Sequence, residues 1–203
     1  MRLTVFGATG ATGQHVVSQA LAAGHQVTVL VRDPAKLGGD AARITVVTGD
    51  ARDPDPVTTA VEGAEAVIST IGGRGLGRST VVTDCMTTIT AALPAGTRLL
   101  VVSTVGAGDS RSHFPAAVRM TVGVMLRNAI TDHEGQERAV MGSDLDWTIA
   151  RCVTLTDGPA TGQVHVLTEG RVGGPRIARA DVARWLVEQL EDETYSRSAV
   201  SLW

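Results

Sequence analysis

Lysine and tyrosine are almost missing: Lys36 and Tyr195 are the only ones, and the 18 basic side chains are otherwise all arginine. Aromatic residues are also few, with three Trp and two Phe beside the single Tyr. That leaves no platform on which bases could stack. With a net charge of −3 and no basic block, no electrostatic footprint for nucleic acid exists either, so no nucleic-acid partner is expected. The two cysteines, Cys85 and Cys152, show neither metal nor redox spacing. They read as buried thiols of a reducing, cytoplasmic setting, with no metal site. No apolar run reaches the roughly 20 residues of a membrane span, and strand-like residues already begin at Arg2. Neither a membrane association nor a signal peptide is therefore expected.

Glycine, by contrast, is plentiful at 23 residues, and three of these define the first motif. Gly7, Gly10 and Gly13 recur in Gly7-Ala8-Thr9-Gly10-Ala11-Thr12-Gly13, after the apolar run Leu3-Thr4-Val5-Phe6 and before the helical pattern Val16, Val17, Ala20, Leu21. Strand, glycine loop and helix in this order suit a dinucleotide diphosphate. The first glycine lets the chain turn sharply, the second exposes bare N–H groups, and the third lets helix and strand pack closely. The helix N-terminus adds unpaired donors and partial positive charge. The spacing G-x-x-G-x-x-G departs from the commoner G-x-G-x-x-G, and its position in the first βα unit gives it weight.

At 203 residues the simplest organisation is one domain, residues 1–203, with one sizeable core. Strands are expected near 2–6, 26–31, 44–48, 65–70, 97–103 and 147–153, and helices near 13–23, 55–61, 79–92 and 115–141. This alternation predicts an α/β Rossmann fold: a doubly wound, mostly parallel sheet with helices on both faces and ligands at the strand C-termini. Residues 154–178, rich in glycine, are expected to form loops and small strands above the sheet edge, a small substrate-side region. Asp181 is expected to cap a last helix carrying Val182, Trp185, Leu186 and Leu190 on one face, before a final strand over 199–202. The stripe Val118, Val122, Met125, Leu126, Ala129 reads as core, so a monomer is expected over a homodimer.

The remaining cofactor residues follow from the strand ends. Strand two ends in Val31-Arg32-Asp33-Pro34, where the adenosine ribose lies in such folds. Arg32 would pair a 2′-phosphate, with Lys36 adding charge one turn on, which favours NADP(H) over NAD(H). Asp33 keeps NAD(H) open if its carboxylate turns to the ribose. Asp50, after strand three, would accept the adenine amino group while the Ala51 N–H meets the ring. Thr70, Ile71 and Gly72 would lie along the nicotinamide ribose, and the Arg74–Arg78 stretch would fold over the cofactor.

On these residues the chain resembles the atypical short-chain dehydrogenase/reductase superfamily, in its small NAD(P)H-binding branch. That branch is similar to NmrA-like proteins and to flavin and biliverdin-IXβ reductases. The landmarks are the glycine loop, Val31-Arg32-Asp33-Pro34, Gly49-Asp50, Val101-Val102-Ser103-Thr104-Val105-Gly106-Ala107, Leu145-Asp146-Trp147-Thr148-Ile149-Ala150-Arg151 and Ala180-Asp181-Val182-Ala183. The resemblance implies a substrate-orienting hydroxyl after strand five, matched by Thr104 with Ser103 beside it. It also implies a Tyr-x-x-x-Lys pair on the next helix. Those positions fall on Ala129 and His133, and with Lys36 in the second βα unit and Tyr195 near the C-terminus, no other pair replaces them. The implied function is an NADPH-dependent oxidoreductase passing hydride to a small conjugated acceptor such as a flavin or quinone. Such an acceptor can draw its proton from water. His133 is a candidate ribose contact or acid, with His113 behind it. Arg151 is a candidate partner for an acidic substrate or a residue that caps loops. The branch's usual Pro-Pro-His is replaced by Arg151-Cys152-Val153, which argues against biliverdin itself. Two alternatives stand beside this: a non-catalytic NADP(H)-binding redox sensor, and a sugar-nucleotide epimerase or dehydratase.

Overall fold

The computed structural model describes residues 1–73, 77–114, 119 and 125–203. The first half alternates strictly: β1 (Arg2–Phe6), α1 (Ala11–Ala22), β2 (Gln26–Val31), β3 (Thr45–Thr48), α2 (Pro54–Val61), β4 (Ala66–Ser69), α3 (Val81–Ala92) and β5 (Arg98–Thr104). The second half adds α4 (Arg127–Met141), β6 (Asp146–Cys152), β7 (Thr154–Thr156), β8 (Val166–Leu167), β9 (Arg176–Ala178), α5 (Arg179–Glu188) and β10 (Ser198–Leu202).

Eight strands form one sheet in the order β3-β2-β1-β4-β5-β6-β10-β8, all parallel except β8, which runs antiparallel to β10. Strand alternation divides the core in two. Leu3, Val5, Val27 and Val29 pack with Val16, Val17 and Ala20 of α1 and with Val182 and Leu186 of α5. Phe6, Leu30 and Val67 face the other way, against Val57 of α2, Met86 and Ile89 of α3 and Val140 of α4. The expected doubly wound α/β fold is thus what forms. The order reverses between β1 and β4, and the crevice opens there, at the strand C-termini.

Beyond β6 the chain forms the loops and small strands expected there. β7 and β9 pair as a separate parallel two-stranded sheet. β8 extends the main sheet, and reciprocal main-chain bonds between His165 and Trp203 continue that pairing.

Two expectations change. Of the fourth helix expected over 115–141, Arg127–Met141 forms α4 and Arg119 and Met125 are also helical, while 115–118 and 120–124 lie outside the described residues. Val118 and Val122 lie outside the described residues, as do Arg74, Gly75 and Leu76 of the stretch expected over the cofactor. Met125 and Leu126 are not core: they precede α4 and are exposed by 65% and 38%. The buried residues of α4 are instead Ile130, Gly135 and Val140 with the polar Asp132, Gln136 and Glu137. Asp181 is not the N-cap of α5. It is the helix's third residue, and its carboxylate accepts Thr161 N–H at 2.9 Å, Thr161 Oγ1–H at 2.7 Å and Gly162 N–H at 3.0 Å, which pins the loop before β8.

The N-terminus of α3 has an equally remote partner. Thr80, its N-cap residue, makes no capping bond there. Asp132 of α4, buried at 3% exposure, accepts Val82 N–H at 3.2 Å and both Thr83 N–H at 2.9 Å and Thr83 Oγ1–H at 2.8 Å. A carboxylate satisfies the orphan donors and complements the positive helix end. Asp132→Ala is expected to lower the unfolding free energy by about 1–3 kcal/mol, read as a lower urea midpoint at unchanged m. A midpoint equal to wild type would show that the cap is idle.

Candidate active site

The loop after β1 is shaped by backbone. Gly7 has φ +81°, and a Cβ there would lie 2.8 Å from Thr70 Oγ1. A Cβ on Gly13 would overlap the Gly7 carbonyl. Gly10 caps α1 without a side-chain bond, and no acidic residue occupies the helix's first turn. The first amides of α1 are therefore open to an anionic ligand.

Two cavities meet at this loop, sharing Gly10, Thr70, Ile71 and Gly72. The first, about 420 Å3, runs over the ends of β2 and β3 and includes Arg32, Asp50 and Ala51. Lys36 does not line it. Its Nζ sits 3.3 Å from Asp33 Oδ2, and Asp33 Oδ1 accepts Ala35 N–H at 3.1 Å. The Asp33 carboxylate is thus turned into its own tight turn. Asp50 is gripped by Arg52 through two side-chain bonds of 2.8 and 3.0 Å. The Arg52 guanidinium holds the Asp50 carboxyl at about 2, well below the usual range. Cys85 closes this cavity from α3, and burial pushes its thiol up to about 11, so it stays protonated and inert.

The second cavity, about 650 Å3, extends over the ends of β5 and β6. Thr12, Ser103, Thr104 and His133 line it, together with the apolar Phe114, Val153, Leu155 and Pro175. The two adjacent hydroxyls differ in what they can offer. Ser103 is 3% exposed and donates to Glu137 Oε1 at 2.7 Å. Among the described residues Thr104 has only a 3.3 Å bond to the neighbouring Val105 carbonyl, so its hydroxyl can turn to a ligand. His133 lies one helical turn before Glu137, and its Nδ1 is buried without a partner among the described residues. Burial lowers its pKa, against the raising influence of Asp132 and Glu137. At neutral pH it is therefore an uncharged hydrogen-bonding group.

Arg151 does not face a substrate. It is 2% exposed and forks onto Glu137 at 3.0 and 2.8 Å, with Asp109 as a further partner. His113 is also removed from the site: it is buried, with Nδ1 2.9 Å from Ser201 Oγ. Sequence reasoning missed the apolar wall, because Phe114, Val153, Leu155 and Pro175 converge only in three dimensions. It missed Arg179 as well, a lining residue whose one signal was a cation opening a helix, where the dipole disfavours it.

Among the described residues no helix is long and apolar enough to cross a membrane, and no group of three or more side chains could hold a metal ion.

Comparison with known proteins agrees with this geometry. The anaerobilin reductase ChuY of Escherichia coli O157:H7 is 26% identical, with a TM-score of 0.81 over 100% of this chain and 96% of its own. A short-chain dehydrogenase/reductase from Veillonella parvula, solved with NADP, superposes at TM-score 0.84 over 99% of this chain and 93% of its own. A protein from Streptococcus pneumoniae, proposed to be an NADH-flavin reductase, gives 0.78 over 100% and 98%. At 22% and 23% identity, these last two speak for the fold alone. The maize isoflavone reductase homolog IRL is 25% identical over 217 residues, or 94% of this chain and 64% of that protein. The chain thus spans less than two thirds of the curated relatives it matches. The model of the NAD(P)H-binding family matches residues 7–193, from the glycine loop to beyond the last helix, and the chain belongs to that family.

Proposed function

We propose that this chain is an NADPH-dependent reductase of a small, electron-poor conjugated acceptor, a flavin, quinone or similar, working without a tyrosine–lysine pair. One observation carries the reading. The crevice runs unbroken from the bare amides of α1 into an apolar-walled cavity lined by Thr104, whose hydroxyl is held by no more than a 3.3 Å bond to its neighbour's carbonyl among the described residues. In this assignment Gly7, Thr9, Gly10, Ala11, Thr12 and Gly13 hold the diphosphate. Asp50 and Ala51 meet the adenine, and Thr70, Ile71 and Gly72 lie along the second ribose. Arg32 takes the 2′-phosphate. The inward turn of Asp33 onto Ala35 and Lys36 supports Arg32 as the ribose-side determinant, with Lys36 screening from outside. Residues 1–203 act as one unit, and 154–178 wall the acceptor side.

When bound, the nicotinamide supplies hydride. Thr104 orients the acceptor by donating to its oxygen or nitrogen. Ser103 is held by Glu137 and fixes the strand end beneath Thr104. His133 offers a neutral hydrogen bond at the inner wall. Phe114, Val153 and Leu155 exclude water from the reacting face, which strengthens each polar contact made there. The proton that completes the reduction comes from solvent, as a flavin or quinone allows. The reading places the protein, as a monomer, in a reducing cytoplasm, in keeping with two free, buried cysteines.

Three measurements test this. In calorimetry, Gly13→Ala is expected to weaken NADPH binding at least about a hundredfold, since its methyl would displace the loop. Retained affinity would remove the loop from the site. Arg32→Ala is expected to weaken NADPH about tenfold and leave NADH within about twofold. Wild-type protein binding NADH the more tightly would reverse the cofactor assignment. NADPH absorbance followed against flavins and quinones should show turnover, with Thr104→Val losing about fivefold in kcat/KM. Tight NADPH binding with every acceptor inert would replace the reductase with a redox sensor.

A further inference from the structure

The second cavity has an unusual charge pattern. Its described lining contains one permanent charge, Arg179, and no carboxylate. Arg179 is the first residue of α5, where the helix dipole penalises a cation, so helix stability gives no reason for it. Its side chain is 23% exposed, and among the described residues its one bond is from Nη1 to Asp157 Oδ1 at 2.7 Å. Asp157 is 81% exposed. An ion pair with so exposed a partner is worth little and is easily exchanged for another anion. The contrast with Arg151 is direct. Arg151 is forked onto a buried carboxylate, whereas Arg179 is left with a single bond to a side chain in water.

We propose that the acceptor carries an anionic group, a phosphate or carboxylate, and that Arg179 binds it after exchanging Asp157 for it. This rests on the reductase reading and narrows its substrate class to a conjugated ring with an anionic arm. The apolar wall takes the ring, Thr104 its polar edge, and Arg179 the arm at the solvent-facing side of the cavity. Asp157 holds the guanidinium in place while the site is empty. Gly10, Ala11 and Thr12 line the same cavity, so the dinucleotide diphosphate is the other source of the same anion chemistry, and the test separates the two.

FMN and riboflavin share one ring system and differ by a phosphate. Each is titrated into NADP+-saturated protein, and binding is read by calorimetry. Wild type is expected to bind FMN about tenfold tighter than riboflavin. Arg179→Gln should bring FMN down to the riboflavin value while riboflavin and NADP+ each stay within about twofold. Asp157→Asn should tighten FMN by about two- to fivefold, because the competing anion is gone. Should Arg179→Gln fold poorly, Arg179→Lys keeps the charge without the fork and should fall between the two. Equal affinities for the two flavins in wild type, an FMN advantage that survives Arg179→Gln, or no binding of either flavin would overturn the proposal. Weakened NADP+ binding in Arg179→Gln would reassign the arginine to the cofactor. Turnover of an uncharged quinone with NADPH would leave the reductase reading standing in each of those cases.

Discussion

Everything in the crevice hangs on the carbonyl of Gly7. It accepts the Gly10 N–H at 2.9 Å and the Thr70 hydroxyl at 3.3 Å, and it lies against the Gly13 backbone so closely that no side chain fits between. One oxygen therefore joins β1, the start of α1 and the end of β4, the two strands where the sheet order reverses. That closeness bars a side chain at Gly13 and keeps the first turn of α1 open. Recognition of a charged ligand here falls to main-chain groups, whose placement depends on the fold and on no rotamer.

A second constraint lies beneath the acceptor side. Ser103, Glu137, Arg151 and Asp109 form a chain of hydrogen bonds that ties β5, β6, α4 and the turn after β5 together. Gly108 completes it at φ +55°, because a Cβ there would sit 2.7 Å from Arg151 Nη2. Burying such a network gains little net stability over an apolar core, because desolvating the charges offsets their attraction. What it secures is position. The end of β5 is fixed from behind, so Thr104 is presented at one height above the sheet while Ser103 is withdrawn from solvent.

The parts of this architecture that could be read from sequence are those encoded locally. The short apolar runs of β1 and β2, the glycine loop and the amphipathic α1 and α3 each announce themselves within a dozen residues. Arg151 and Asp181 were misjudged for the opposite reason. Each looked like a ligand contact or a cap when only its neighbours were considered. Their true partners stand 14 and about 20 positions away, and Asp132 reaches 50 positions back to α3. A charged residue in a strand or early in a helix does not reveal in sequence whether a buried counter-ion or a ligand awaits it. The pairing of β7 with β9 was hidden likewise, since three residues are too few to show a period. The apolar stripe misled because Met125 and Leu126 continue the helical spacing of α4 but precede its first turn.

The two borders of the main sheet share a property: β3 has four residues and β8 has two. Each offers a short row of unpaired amides, and β8 runs counter to the strand it covers. The buried, uniformly directed strands in the middle, β5 and β6 above all with seven residues each, would make efficient templates for aggregation if they lay at a border. Short strands at both borders leave little edge for edge-to-edge growth into fibrils, a safeguard that comes from topology.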